Sequence, residues 1–509
     1  LNTPAKRLAL PLAGALVTSG LITAAMATPA PARTAPTAAS EKLVTSAPEA
    51  YAIAKFWLDA NGAALKKAKE YDWDAKEVPN LVTHGQNGLP DDGKAGLVAP
   101  TGSKKGATAK IKNINLPRTI GKVFFVNAKG EYRWCSASSV QARHRNMVAT
   151  AGHCVYDIDG NKDVMDKWVF VPGYYQGKAT WGIYVGVTAY THYDLVNFED
   201  FDGDYAFVSV TNGIGLGSSK EVTFEEYQAW KGDKFVKPVE IDKETYQKCA
   251  LNLGHCWTSG TNSEDDLVGP DYPGAILDRR EVGKQEYDKA GVGKGQGRKL
   301  GEPVVEPVTK TEHDAYKGPG TKSVDKYGNH FITHYYVQRW LKPGTAKKYY
   351  RDTFHVVLAK DLGRLTDVVG GQGLAWNQLP GQPVYAFGYP GDRHPDGNKA
   401  FSGLTPKWCA GRTGKKPIMV NAFKVGEHIT LKCSMTGGAD GGPLIMKYDN
   451  KARTGYINGV ISLFHDQDDN KRVDHVSTPY FNGETGAIYN QAQGALPLKV
   501  VGPKGELLK

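Results

Sequence analysis

Apolar and polar positions change period twice along this chain. Over residues 48–71 apolar side chains recur at helical spacing, and Ala52, Phe56 and Leu58 can share one face. Asn61-Gly62 reads as the stop signal of that helix. From Leu116 onward short apolar runs broken by turn residues take over. Residues 120–126, 135–140, 147–154, 168–171, 181–189 and 205–210 read as strands, with a turn at 127–130. Residues 211–350 interrupt this rhythm. They are polar and rich in Gly and Lys, most of all over 291–329, and partial disorder is expected there. Strands resume at 354–359, 384–390, 418–423, 428–433 and 456–464, and a short helical stretch lies near 487–495. Short strands set off by turns predict a mainly β protein, a barrel or sandwich. There is no internal repeat of fixed period.

The ends have other textures. Lys6 and Arg7, an apolar stretch over 8–22 and Ala25-Met26-Ala27 form the basic, apolar and small-residue parts of a secretory leader, residues 1–27. Pro11 and Gly14 interrupt the apolar run, which argues against a membrane span. Residues 28–42 are rich in Ala, Pro and Thr and are expected to be a flexible tether. Residues 28–110 as a whole read as a pro-segment or as a helical appendage that stays attached. Residues 111–490 form the main domain, with the insertion at about 211–350, and 491–509 read as a C-terminal tail.

Composition changes this picture in two ways. The 509 residues are 40% hydrophobic and 23% charged, which suits a globular protein. The net charge of +10 is spread thinly, with no basic cluster interleaved with aromatics, so no nucleic-acid partner is expected. The six cysteines, an even number in an exported chain, point to disulfides. Neighbourhood favours Cys135–Cys154, Cys249–Cys256 and Cys409–Cys433 among the possible connectivities, and without a CxxC pair no zinc is expected.

The chemistry lies in three separated motifs. Thr150-Ala151-Gly152-His153-Cys154 places a histidine beside a cysteine, with Cys135 upstream. Asp204-Tyr205-Ala206-Phe207-Val208 places a carboxylate before an apolar strand. Gly437-Gly438-Ala439-Asp440-Gly441-Gly442-Pro443 has glycine at four of seven positions, a backbone able to turn sharply and approach a ligand closely. In this order the motifs resemble the T-A-A-H-C, D-I-A-L-L and G-D-S-G-G-P motifs of trypsin-like serine peptidases, most closely the large secreted bacterial ones. The resemblance covers roughly 116–210 and 352–490. It implies a chymotrypsin-like double β-barrel, with His153 as general base and Asp204 fixing its tautomer. The backbone N–H groups of Gly438 and Asp440 then form an oxyanion hole. Gly459-Val460-Ile461-Ser462-Leu463-Phe464 resembles the strand that pairs with substrate, which places Ser462 there. Asp352, before another apolar strand, competes with Asp204 for the carboxylate role, and Asp202 would serve if the register slipped by two.

Two departures matter. Ala439 stands where animal trypsins carry the aspartate that receives a freed N-terminus, so cleavage after Arg118 is not a convincing activation step. Asp440 stands where the nucleophilic serine belongs. A carboxylate is a poor nucleophile toward an amide, and the adduct would expel it again. Beside His153 it should also hold the imidazole protonated and so disable the base. Ser434 and Thr436 lie outside the turn that presents the nucleophile. The expectation is an extracellular peptidase homologue, weak or inactive, acting on or binding protein or peptide. The alternatives are a working serine endopeptidase by descent, and a binding module that uses the barrel cleft or the insertion. No cofactor is expected. Residues 157–163 and the loop of Asp466, Asp468, Asn470 and Asp474 offer oxygen ligands for calcium, but Trp168 stands where an EF-hand loop needs glutamate, and solvated turns are the default.

Overall fold

The computed structural model describes residues 37–508, apart from 72–81, 84–88, 90–91, 102–116, 159–163, 231, 251–254, 260–263, 309, 326–329, 346–347 and 396–399. The expected leader and residues 28–36 of the expected tether lie outside the described residues. The protein is mainly β. Six strands close into a first barrel, each hydrogen-bonded to the next. The order is Ile120–Val126, Tyr132–Ser139, Met147–Thr150, Ala206–Val210, Tyr184–His192 and Asp166–Pro172, which returns to Ile120–Val126. Every pairing within the ring is antiparallel. Ile120–Val126 is buried at every position, because one face fills the barrel and the other is covered from outside.

The second barrel is built from two sheets around one core of Val384, Ala386, Val425, Leu431, Leu444, Ile461, Leu463 and Val476. Pro383–Gly388, Lys407–Arg412, Pro443–Asp449 and Thr454–Val460 lie in one sheet; Val425–Lys432, Leu463–His465 and His475–Pro479 lie in the other. Gly414 N donates to Thr430 O at 2.8 Å, Val460 N to Thr478 Oγ1 at 2.8 Å and Ser462 N to Ser477 O at 2.9 Å, joining the sheets along two seams. The Cys409–Cys433 disulfide closes one of them.

The segment expected to be partly disordered is a sheet of its own. Eight strands, from Gly213–Val222 to Lys348–Gly363, form it, and Val282, Tyr287, Tyr335 and Val337 give it a small core. Gly213 pairs with Gly363, so the chain leaves the first barrel and returns at neighbouring points. An excursion with adjacent ends adds little closure entropy however long it grows. The insertion therefore runs to about 363 rather than 350, and residues 354–359 belong to it. Apolar alternation marks a strand without saying which sheet it joins.

The N-terminal extension also differs from expectation. Ala38–Lys42 is a strand paired antiparallel with residues 188–192, not a tether. Ladder hydrogen bonds need backbone, so a polar segment can serve. The helix runs Ala47–Lys67, through Asn61-Gly62 and short of Tyr71. Ser46 caps it and Lys66 and Lys67 lie in its last turn, favourable for the helix dipole. Ala50, Ile53, Ala54 and Trp57 form its buried face, while Ala52, Phe56 and Leu58 are only half-buried. The Trp57 ring meets Phe124 of the first barrel at 5.6 Å, and its Nε1 donates to Lys167 O at 2.7 Å. At the other end the helix is Gly483–Ala492, capped by Asn482, and Val500 and Val501 of the expected tail are buried in the core.

Trp57 is fully buried. Trp57→Ala should cost about 3–5 kcal/mol and lower the thermal midpoint of the whole molecule. A cooperative unfolding curve unmoved by this change would show the extension to be detached from the core.

Candidate active site

His153 lies in a single helical turn, Gly152–Cys154, directly after Met147–Thr150. The Cys135–Cys154 disulfide ties that turn to the neighbouring strand. Asp204 ends another short turn, Phe201–Gly203, just before Ala206–Val210. Pairing of Ala206 with Thr150 sets the two turns side by side. His153 Nδ1 is 2.8 Å from Asp204 Oδ2, and the His153 backbone N–H donates to Asp204 Oδ1 at 2.9 Å. The Ser462 hydroxyl donates to the same Oδ2, a bridge from the second barrel.

The competing carboxylates are elsewhere. Asp352 sits in the insertion sheet, 2.8 Å from Arg279 Nη1 and 3.0 Å from Trp257 Nε1. Asp202 accepts the N–H groups of Gly426 and Glu427 and ties the two halves together.

The glycine-rich loop is pressed against the first barrel. Gly438 and Gly441 have φ of 89° and 75°, left-handed values that disfavour a side chain. A Cβ on Gly441 would also fall 2.1 Å from Thr150 Oγ1 and 2.4 Å from Ser136 O. Ser136 holds the loop: its N–H donates to Asp440 O and its hydroxyl to Gly438 O, both at 2.7 Å. That hydroxyl accepts from Tyr389 N at 2.8 Å.

Asp440 therefore points at the imidazole. Its Oδ1 lies 3.6 Å from His153 Nε2 and its Oδ2 accepts the Gly438 N–H at 2.9 Å. The carboxylate spans the gap between the ring and the Gly438 N–H. All three groups are dry: His153 is 1% exposed, Asp204 0% and Asp440 4%. Burial alone pushes the imidazole pKa down, but the charge and hydrogen bond of Asp204, then of Asp440, outweigh it and raise it from 6.5 to about 10. Burial pushes Asp204 up, yet His153 and Ser462 hold it below the usual carboxylate range. Burial raises Asp440, against the opposing pull of His153 and of the backbone N–H groups.

Four participants were not legible as such. Ser462, expected to pair with substrate, has its hydroxyl on Asp204. The Phe201 and Tyr71 rings lie 6.3 Å and 6.2 Å from the imidazole. Ser136 stands next to Cys135 in sequence, its only signal. Thr436 donates to Asp392 O, outside the turn that presents residue 440.

All three expected disulfides are present. The group Cys135, His153 and Cys154 could bring metal-binding atoms together, but both sulfurs are committed to the disulfide. Asp466, Asp468 and Asp474 converge, and Asp466 and Asp474 accept backbone N–H groups of their own loop. Residues 159–163 of the other acidic loop lie outside the described residues. Among the described residues no helix is long and apolar enough to cross a membrane.

A scan against protein-family models finds no match, and neither does a search of curated proteins. Solved structures that align with much of this chain at low identity are found. The protease Anisep from Arthrobacter nicotinovorans is 18% identical, with a TM-score of 0.39 over 75% of this chain and 98% of that one. A thermostable serine protease, AL20, from an extremophilic microorganism is 17% identical, with a TM-score of 0.40 over 74% and 98%. A Glu endopeptidase is 10% identical, with a TM-score of 0.35 over 78% and 99%.

The raised imidazole has a pH signature. Folding takes up a proton that the unfolded chain releases, so this contribution to stability is full below about pH 6.5 and is lost as pH rises through about 10. Histidine-ring NMR should find His153 charged at pH 8, and Asp440→Asn should lower its midpoint. A midpoint near 6.5 in the unaltered chain would refute the raised imidazole.

Proposed function

We propose that this protein is a trypsin-like peptidase homologue that takes extracellular protein or peptide into the cleft between its barrels and hydrolyses it little or not at all. One observation carries the reading: the Asp440 carboxylate lies between His153 Nε2 and the Gly438 N–H. In an active serine peptidase the alcohol oxygen attacks, the imidazole takes its proton and two backbone N–H groups receive the oxyanion. Here an acid holds the first place and fills the last.

The chemistry follows from that substitution. Attack by a carboxylate on an amide would give a tetrahedral adduct able to expel carboxylate or amine, and carboxylate leaves more easily. An imidazole already protonated between two carboxylates accepts no further proton. A Gly438 N–H engaged by Oδ2 is not free to stabilise developing charge. Removal of the nucleophile from such a triad costs on the order of 10⁶ in turnover in a protease of unrelated fold. His153, Asp204 and the Gly438 N–H remain as parts of a machine lacking its attacking atom. An oxidising, extracellular setting is supported by three disulfides among the described residues.

A non-catalytic module is the second reading. It is favoured by the insertion having a sheet and core of its own, so a partner could dock there without using the cleft.

Asp440→Ser tests the first reading. The unaltered chain should resist a fluorophosphonate label and leave casein intact, while the serine variant gains both activities by at least about 10³, well inside the full triad effect. Rapid casein hydrolysis by the unaltered chain would sink it. A folded serine variant that neither labels nor cuts, even with the N-terminal extension displaced, would move the function to the insertion.

A further inference from the structure

The cleft beside Gly438 already holds a piece of this chain. Lys69 and Glu70 pair in parallel with Arg133 and Trp134, on the strand that carries Cys135 and Ser136. Tyr71 N donates to Trp134 O at 2.9 Å, and Arg133 Nη1 donates to Glu70 O at 3.0 Å. The Tyr71 ring lies 6.2 Å from the His153 ring. A Cβ on Gly438 would fall 3.1 Å from Glu70 Cβ and 2.8 Å from Trp134 Nε1. Glu70 thus lies against the loop whose N–H groups receive charge, and Tyr71 beside the base. With His153 and Asp440 1% and 4% exposed, an incoming peptide must displace this segment to reach them.

The surroundings of Glu70 have a definite chemistry. Lys122 is 1% exposed inside the first barrel, its Nζ 3.4 Å from the centroid of a Trp134 ring, 4.7 Å from Tyr174 and 5.6 Å from Tyr389. Aromatic faces stabilise a desolvated cation only in part. A Cβ on Gly403 would meet Trp134 Cζ2 at 2.3 Å and Lys122 Nζ at 3.2 Å. One on Gly391 would meet the same Cζ2 at 2.7 Å and Glu70 Oε2 at 3.0 Å. The ammonium thus sits over a Trp134 ring, and the Glu70 carboxylate lies near Cζ2 of the same side chain. Glu70 also opposes the downward push of burial on Lys122.

We propose that Trp134, Lys122, Gly391 and Gly438 form a peptide subsite for an acidic residue followed by an aromatic one, filled in cis by Glu70-Tyr71, so that the extension keeps the cleft shut. The proposal rests on the cleft being a peptide cleft, as read above. An attached occupant competes at an effective concentration of order millimolar, enough to exclude weak ligands without tight contacts of its own.

The probe is a fluorescent, capped peptide of residues 66–71, followed by anisotropy on the full chain. Glu70→Ala/Tyr71→Ala, checked for an unchanged thermal midpoint, should bind it at least about 10-fold more tightly than the unaltered chain, as expected when a tethered competitor is removed. A peptide with Lys in place of Glu should lose that binding. Glu70→Lys alone is the second variant, should the double variant unfold, and should also gain affinity for the probe. Equal affinity in variant and parent, or indifference to the Glu-to-Lys change in the peptide, would overturn the proposal. In an Asp440→Ser background the double variant should also label faster with fluorophosphonate. Peptide binding as expected without any labelling would overturn the peptidase reading and leave the subsite standing.

Discussion

Two carboxylates and one imidazole share a space from which water is excluded. Burying any one of them alone would cost several kcal/mol. Together they are tolerable because each charge has a partner: Asp204 is bonded by the ring, backbone and Ser462, and Asp440 accepts the Gly438 N–H and faces the ring at 3.6 Å. The same arrangement that keeps these charges in the fold opposes deprotonation of the ring. Charge satisfaction and catalytic poise, compatible when an alcohol faces the imidazole, oppose each other when an acid does.

That cluster demands accurate placement from two separate cores. The turns bearing His153 and Asp204 are set by the pairing of Ala206 with Thr150 in the first barrel. The loop bearing Asp440 starts a strand of the second. Ser136 of the first barrel holds that loop through both Asp440 O and Gly438 O, and Ser462 of the second reaches back to Asp204. Glycine at 441 lets the two approach, since a methyl group there would collide with Thr150 and Ser136. The seam between the barrels is thus made of the same bonds that build the site.

Around this centre the chain carries two additions of different character. The insertion departs and returns at the paired residues Gly213 and Gly363 and keeps its own core, so it adds mass without disturbing the cluster. The extension is woven in. Its strand lengthens a barrel sheet, its helix buries Trp57 against Phe124, and its end lies beside His153. Apolar spacing announced the helix but not its deepest residue: Trp57 is fully buried against Phe124, while half-buried Phe56 meets Tyr132 of the same barrel.

The amino-acid sequence by itself determined the strand-rich class, the neighbouring cysteine pairs and the three motifs, because local period, spacing and residue chemistry are all short-range properties. It also exposed the acid at position 440. Only the tertiary structure decided which aspartate meets His153, that Ser462 serves Asp204, that a polar tether is a strand, and that Glu70 and Tyr71 lie at the cleft. Each of those depends on which distant backbones pair, and a hydrogen bond between residues tens to hundreds of positions apart leaves no trace in local pattern.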